Sequence, residues 1–76
     1  MKKNLLIHYD EEADFFELIV GKPTVAYYED LGDEIFIRID EKTKRVVGIS
    51  IMGFKKRIGK SGDFEVKLPE KIGLFS

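Results

Sequence analysis

Ile35-Phe36-Ile37-Arg38-Ile39-Asp40, a charged turn Glu41-Lys42-Thr43-Lys44, then Arg45-Val46-Val47-Gly48-Ile49-Ser50-Ile51-Met52 carry the most regular apolar pattern in the chain. Isoleucine stands at 35, 37 and 39 and again at 49 and 51, which is the spacing of one face of a pleated strand and not of a helix. The β-branched and aromatic residues around them suit that surface. A short polar turn between two such runs reads as a hairpin.

The same period continues outward. Leu5, Ile7 and Tyr9 alternate with Leu6 and His8, and Phe16, Leu18 and Val20 alternate with Phe15, Glu17 and Ile19. Strands are expected at about 4–9, 14–20, 24–29, 34–40, 45–54 and 63–68. Asp10-Glu11-Glu12, Gly21-Lys22-Pro23, Asp30-Leu31-Gly32-Asp33 and Gly59-Lys60-Ser61-Gly62 separate them. The expected fold is all-β: an antiparallel six-stranded meander-like sheet curling on itself. At most one short C-terminal helical turn is expected, opened by Pro69.

Ile7, Phe16, Leu18, Ile35, Ile37, Val47, Ile49 and Ile51 are expected to share one core. Phe15, Ile19, Phe36 and Val46 fall on the opposite face. Either a C-terminal strand carrying Phe64, Val66 and Leu68 covers them, or a partner does. A second copy of the chain is the expected partner, because strands 24–29 and 34–40 carry no lysine to blunt an exposed edge.

With 76 residues the chain is one domain, and domains near this size bury only about 60% of the surface their unfolded chains expose. There is no cysteine and a single histidine, His8, which removes disulfides, thiolate metal sites and cysteine nucleophiles and leaves no imidazole cage. No cofactor is expected. Hydrophobic residues are 43% and charged residues 36%, enough for both a core and a solvated surface. Apolar runs are short, Ile35-Phe36-Ile37 ending at Arg38, so neither a membrane span nor a secretory signal is expected and the cytoplasm is the default. The chain also lacks glutamine and has one asparagine, Asn4, a composition that a thermophilic source would explain.

Candidate chemistry is sparse. Gly53-Phe54-Lys55-Lys56-Arg57-Ile58-Gly59-Lys60-Ser61 has five residues between its glycines where a phosphate loop needs four, and a strand is expected after it instead of a helix. Asp10, Glu11, Glu12 and Asp14 lack the spacing of a calcium loop and read as a solvated turn. His8 has no identifiable nucleophile to serve, and none of Ser50, Ser61 and Ser76 sits in a nucleophile elbow. No catalytic residue is therefore assigned. Charge is uneven: residues 1–50 carry seven Lys/Arg against eleven Asp/Glu, a net −4, whereas residues 51–76 carry six against three, a net +3. Lys55, Lys56, Arg57 and Lys60, beside Phe54, form the one candidate interaction site. An overall charge of −1 argues against nucleic acid as its partner.

Tyr9-Asp10-Glu11-Glu12-Ala13-Asp14, and later Asp40 with Arg45-Val46-Val47-Gly48-Ile49-Ser50-Ile51, resemble a widespread prokaryotic family of unknown function. That family carries Y-D-x-E-A-D near its start and a V-G-I strand motif later; the resemblance covers about residues 8–57. Glu17 stands where the family usually has tyrosine, Ser50 where it has glutamate, and the turn 41–44 lacks the usual glycine. In this chain Asp10 can close a turn, and Gly48 can allow a close backbone approach or a bulge. The resemblance implies a small, mostly β cytoplasmic protein and no activity. Some members lie beside genes for toxin-like proteins, which implies a toxin-neutralising partner as one alternative. The sequence favours a non-enzymatic protein-interaction module. Alternatives are a weak nucleic-acid binder and a small ligand-binding domain or enzyme using carboxylates and His8.

Overall fold

The computed structural model describes residues 4–22 and 25–68. Five strands form one open antiparallel sheet: β1 (Leu5–Asp10), β2 (Phe15–Val20), β3 (Ala26–Asp30), β4 (Ile35–Asp40) and β5 (Val46–Met52). A short helix, α1 (Phe54–Ile58), follows β5 directly. The spatial order is β1-β2-β5-β4-β3, so the sheet is a hairpin joined to a three-stranded meander through β2 and β5. A continuous six-stranded meander curling on itself is not what forms. The exchange has a physical reason: β2, Phe-Phe-Glu-Leu-Ile-Val, is half-buried along its whole length and needs a neighbour on each side. The more polar β3, Ala-Tyr-Tyr-Glu-Asp, goes to an edge instead.

The core face carries the isoleucine rows. Phe16, Ile51 and Ile35 lie side by side across three strands, as do Leu18, Ile49 and Ile37. Ile37 and Val46 are fully buried, and Ile35, Ile39 and Ile51 nearly so. A register shift between Arg38 and Ile39 pairs Ile39 with Val46, although Arg38 pairs with Gly48. The extra residue of this bulge is Val47, which is only half-buried, so Val46 and not Val47 enters the core. Ile7, expected inside, is 62% exposed because β1 is an edge strand.

Residues 63–68 form no strand. Their alternation still has a use: Phe64, Val66 and Leu68 are half-buried while Asp63, Glu65 and Lys67 are exposed. The segment lies across the sheet as an extended strap without joining the ladder. Leu68 packs on Ile37, Ile39 and Val46, and Phe64 meets Phe54 edge-on at 5.9 Å. It therefore covers the isoleucine face, not the face of Phe15, Ile19 and Phe36. The helical turn expected at Pro69 lies outside the described residues.

Aspartates build the turns. Asp10 Oδ1 accepts the backbone N–H of Glu12 at 3.1 Å and of Ala13 at 3.3 Å, closing the β1–β2 turn as its side chain allows. Asp40 does the same for Lys42 and Thr43, at 2.8 and 2.9 Å, between β4 and β5. Each turn ends on a left-handed residue, Asp14 (φ 52°) in the first and Lys44 (φ 62°) in the second. Lys44 thus holds a conformation that glycine adopts without steric cost.

Candidate functional site

Asp14 organises the corner where β1, β2 and α1 meet. Its backbone carbonyl accepts the N–H groups of Gly53 and Phe54, at 2.8 and 3.1 Å. Its carboxylate accepts the N–H of Lys55 at 2.7 Å and of Lys56 at 3.4 Å, the otherwise unsatisfied donors of the first turn of α1. Gly53, at the N-cap position, has no side chain to do this, so a residue from a distant turn caps the helix. Tyr9 Oη donates to Asp14 Oδ1 at 2.6 Å.

These bonds move both titrations. The Tyr9 hydrogen bond and the amides of Lys55 and Lys56 hold the Asp14 carboxyl below its ordinary value of 3.8. The Tyr9 phenol, bonded to that carboxylate and partly desolvated, is pushed up to about 12 from an ordinary 10.0. Asp14 therefore stabilises the fold above pH 3.8, and its contribution is lost as pH falls through the lower folded value. The Tyr9 contribution is complete below pH 10.0 and is lost as pH rises through about 12. Replacing Asp14 with asparagine is expected to bring Tyr9 ionisation back toward 10.0, read by ultraviolet titration of tyrosinate. An unchanged alkaline midpoint would show that the Asp14 carboxylate is not what raises the phenol.

Beside this corner lies an apolar cleft of about 290 Å³, lined by Tyr9, Phe16, Phe54, Lys55 and Ile58. Phe54 stacks on Phe16 with centroids 4.5 Å apart and planes 16° apart, and Tyr9 tilts against Phe54 at 6.0 Å. The cleft has the greasy walls of a contact surface and few polar groups to orient a small molecule.

The four cations named from sequence differ in their surroundings. Lys55, Lys56 and Lys60 are exposed, but Arg57 is half-buried and committed to structure. Its Nε donates to the Met52 carbonyl at 2.7 Å, one guanidinium nitrogen pairs with the Asp33 carboxylate at 2.8 Å, and the other donates to the Asp33 carbonyl. Phe54, which could have stacked a base, has its ring on Phe16.

On the other face, His8, Glu17 and Ser50 share one row across β1, β2 and β5. Ser50 Oγ donates to Glu17 Oε2 at 3.2 Å. The acid thus stands between the histidine and the hydroxyl, whereas a proton relay needs the histidine in the middle. Among the described residues no three His, Asp or Glu side chains come together as a cation site. No helix among them is long and apolar enough to cross a membrane.

Sequence reasoning took Asp14 for part of a solvated acidic turn and missed its part in capping α1. The one trace of α1 in the sequence is the pair Phe54 and Ile58, four residues apart between Gly53 and Gly59, and a single such spacing does not establish a helical period.

The architecture defines a class: a small antiparallel-sheet domain whose one face is partly covered by a helical turn and an extended strap. Residues 6–55 match the family described as protein of unknown function DUF2283, and the chain belongs to that family. No curated protein and no solved structure gives a significant match.

Proposed function

We propose that this protein is a non-enzymatic interaction module that works as a homo-oligomer. The observation that carries the reading is β1, which is exposed along its whole length although half its residues are large and apolar. Leu5, Leu6 and Ile7 are 59, 55 and 62% exposed, on both faces of the strand. Beside it, the cleft of Tyr9, Phe16, Phe54 and Ile58 extends the apolar surface. Monomers rarely leave such a continuous patch in water. Arg57 and Phe54 are used internally, which weakens the nucleic-acid alternative, and the row of His8, Glu17 and Ser50 has the wrong order for a relay.

Light scattering at micromolar concentration tests this. A mass near twice 8.8 kDa, shifting toward 8.8 kDa on dilution, is the expected result. A mass that stays at 8.8 kDa on concentrating the sample overturns the homo-oligomer.

A further inference from the structure

We infer that the edge of β1, unpaired among the described residues, pairs with β1 of a second copy, antiparallel and about a two-fold axis at Ile7, giving a continuous ten-stranded sheet. This rests on the homo-oligomer reading above and specifies its contact. The backbone determines which groups are available. Gly21 N–H donates to the Asn4 carbonyl at 2.7 Å, one step beyond the Leu5–Val20 pair of the β1–β2 register. Asn4–Gly21 is thus a directly bonded pair, and in an antiparallel ladder bonded and non-bonded pairs alternate. Leu6, His8 and Asp10 then bond to β2. The N–H and C=O groups of Leu5, Ile7 and Tyr9 point to the free edge. The same parity appears across the sheet, where Gly53 N–H bonds the Asp14 carbonyl, one step beyond the Phe15–Met52 pair of β2 and β5.

Three outward residues centred on Ile7 are self-complementary. Turned about a two-fold at Ile7, Ile7 faces Ile7 and Leu5 faces Tyr9 of the other copy. Each of these pairs is a bonded one, with six main-chain hydrogen bonds from the three pairs together. On one face the rows are Leu5 beside Tyr9 and Ile7 beside Ile7; on the other, Leu6 stands beside His8. No like charges lie opposite each other.

The two edges of the sheet differ in protection. β3 ends in Glu29 and Asp30, and although Tyr27 and Tyr28 are exposed, a cation stands over each ring: Lys44 Nζ lies 5.3 Å from the Tyr27 centroid and the Arg38 guanidinium 5.8 Å from that of Tyr28. β1 has no lysine, no proline and no bulge between Leu5 and Asp10. Natural sheets protect edges with such devices when they must stay single. A one-strand contact lies near the lower limit of about 1,000 Å² for a specific interface, so the dimer should dissociate on dilution.

The absence of native cysteine makes the test clean. In the proposed register the Ile7 α-carbons lie about 5.5 Å apart, within disulfide range. The two copies of Leu5 lie roughly 13 Å apart along the strands, outside it. Ile7→Cys under mild oxidation is expected to give a disulfide-linked dimer, and Leu5→Cys to remain uncrosslinked. Ile7→Lys, at an exposed position, is expected to give a folded 8.8 kDa monomer with an unchanged circular dichroism spectrum. A wild-type dimer in which Leu5→Cys crosslinks as readily as Ile7→Cys, or which Ile7→Lys leaves intact, overturns the edge pairing and leaves the homo-oligomer standing. A wild-type monomer overturns both, and points to an extended segment of another protein as the occupant of the edge.

Discussion

Ile37→Ala is expected to cost about 2–5 kcal/mol, at the upper end of that range, because Ile37 is fully buried between β3 and β5 with Leu68 packed over the cluster it belongs to. Three removed carbons leave a void that Ile39, Val46 and Leu68 cannot fill without leaving their own contacts. The loss is large for a chain this short. At roughly 0.05–0.15 kcal/mol per residue, 76 residues give about 4–11 kcal/mol in total. Urea denaturation is the measurement: the midpoint should fall steeply with little change in slope. Ile49→Ala is the internal control. Ile49 is only half-buried, so its truncation should cost clearly less. Equal losses at the two positions would mean that the strap does not cover Ile37 in solution.

Gly48→Ala is expected to destabilise by roughly 1–3 kcal/mol, the usual cost of overfilling a packed site. A β-carbon at Gly48 would sit 2.9 Å from the Leu18 carbonyl oxygen and 3.3 Å from Arg38 Cβ. The first of those atoms is backbone of β2 and cannot rotate away. Alanine would ordinarily be favoured over glycine in a strand by about 0.5–1 kcal/mol through backbone entropy, so the sign of the result discriminates. A neutral or stabilised Gly48→Ala in chemical denaturation would mean that β2 and β5 are further apart than described. Gly48→Val should be worse than alanine, because two more carbons enter the space beside the Arg38 stem.

What the sequence reveals here is local. Period-two spacing located β1, β2, β4 and β5 to within a residue or two, because each carries apolar β-formers at alternate positions. Asp10 and Gly48 were also legible, since an aspartate after a strand and a glycine inside one have few uses. Neighbour relations were not legible. Nothing in Phe15–Val20 says that its second partner is Val46–Met52 and not Ala26–Asp30; that depends on which strand can tolerate an edge. The bulge shifted the core from Val47 to Val46 because parity counted back from Ile49 and Ile51 cannot register an inserted residue. Residues 63–68 show the same limit: alternation reports a half-dry extended segment, whether or not it joins a ladder. Phe54–Ile58 was hidden because one helical turn is too short to establish a period, and its cap comes from Asp14, far away in the chain.

The seam between β2 and β5 also sets the order in which the molecule can be assembled. Each half of the sheet closes through near neighbours: β1 with β2 across one turn, and β3, β4 and β5 in succession. Among the strand pairings only the seam joins distant residues, Ile19 with Gly48 and Phe15 with Met52. Its loop-closure entropy must be met before its contacts reward it, so the two halves are the natural early units and their docking the slow event. Contacts inside the meander are already made when the halves dock, so truncations there should chiefly slow folding, whereas the Gly48→Ala clash with β2 is felt only as the seam closes and should weigh more on unfolding. Stopped-flow kinetics on Gly48→Ala and Ile39→Val separate the two, and an Ile39→Val variant that folds at the wild-type rate would mean that the halves do not form first.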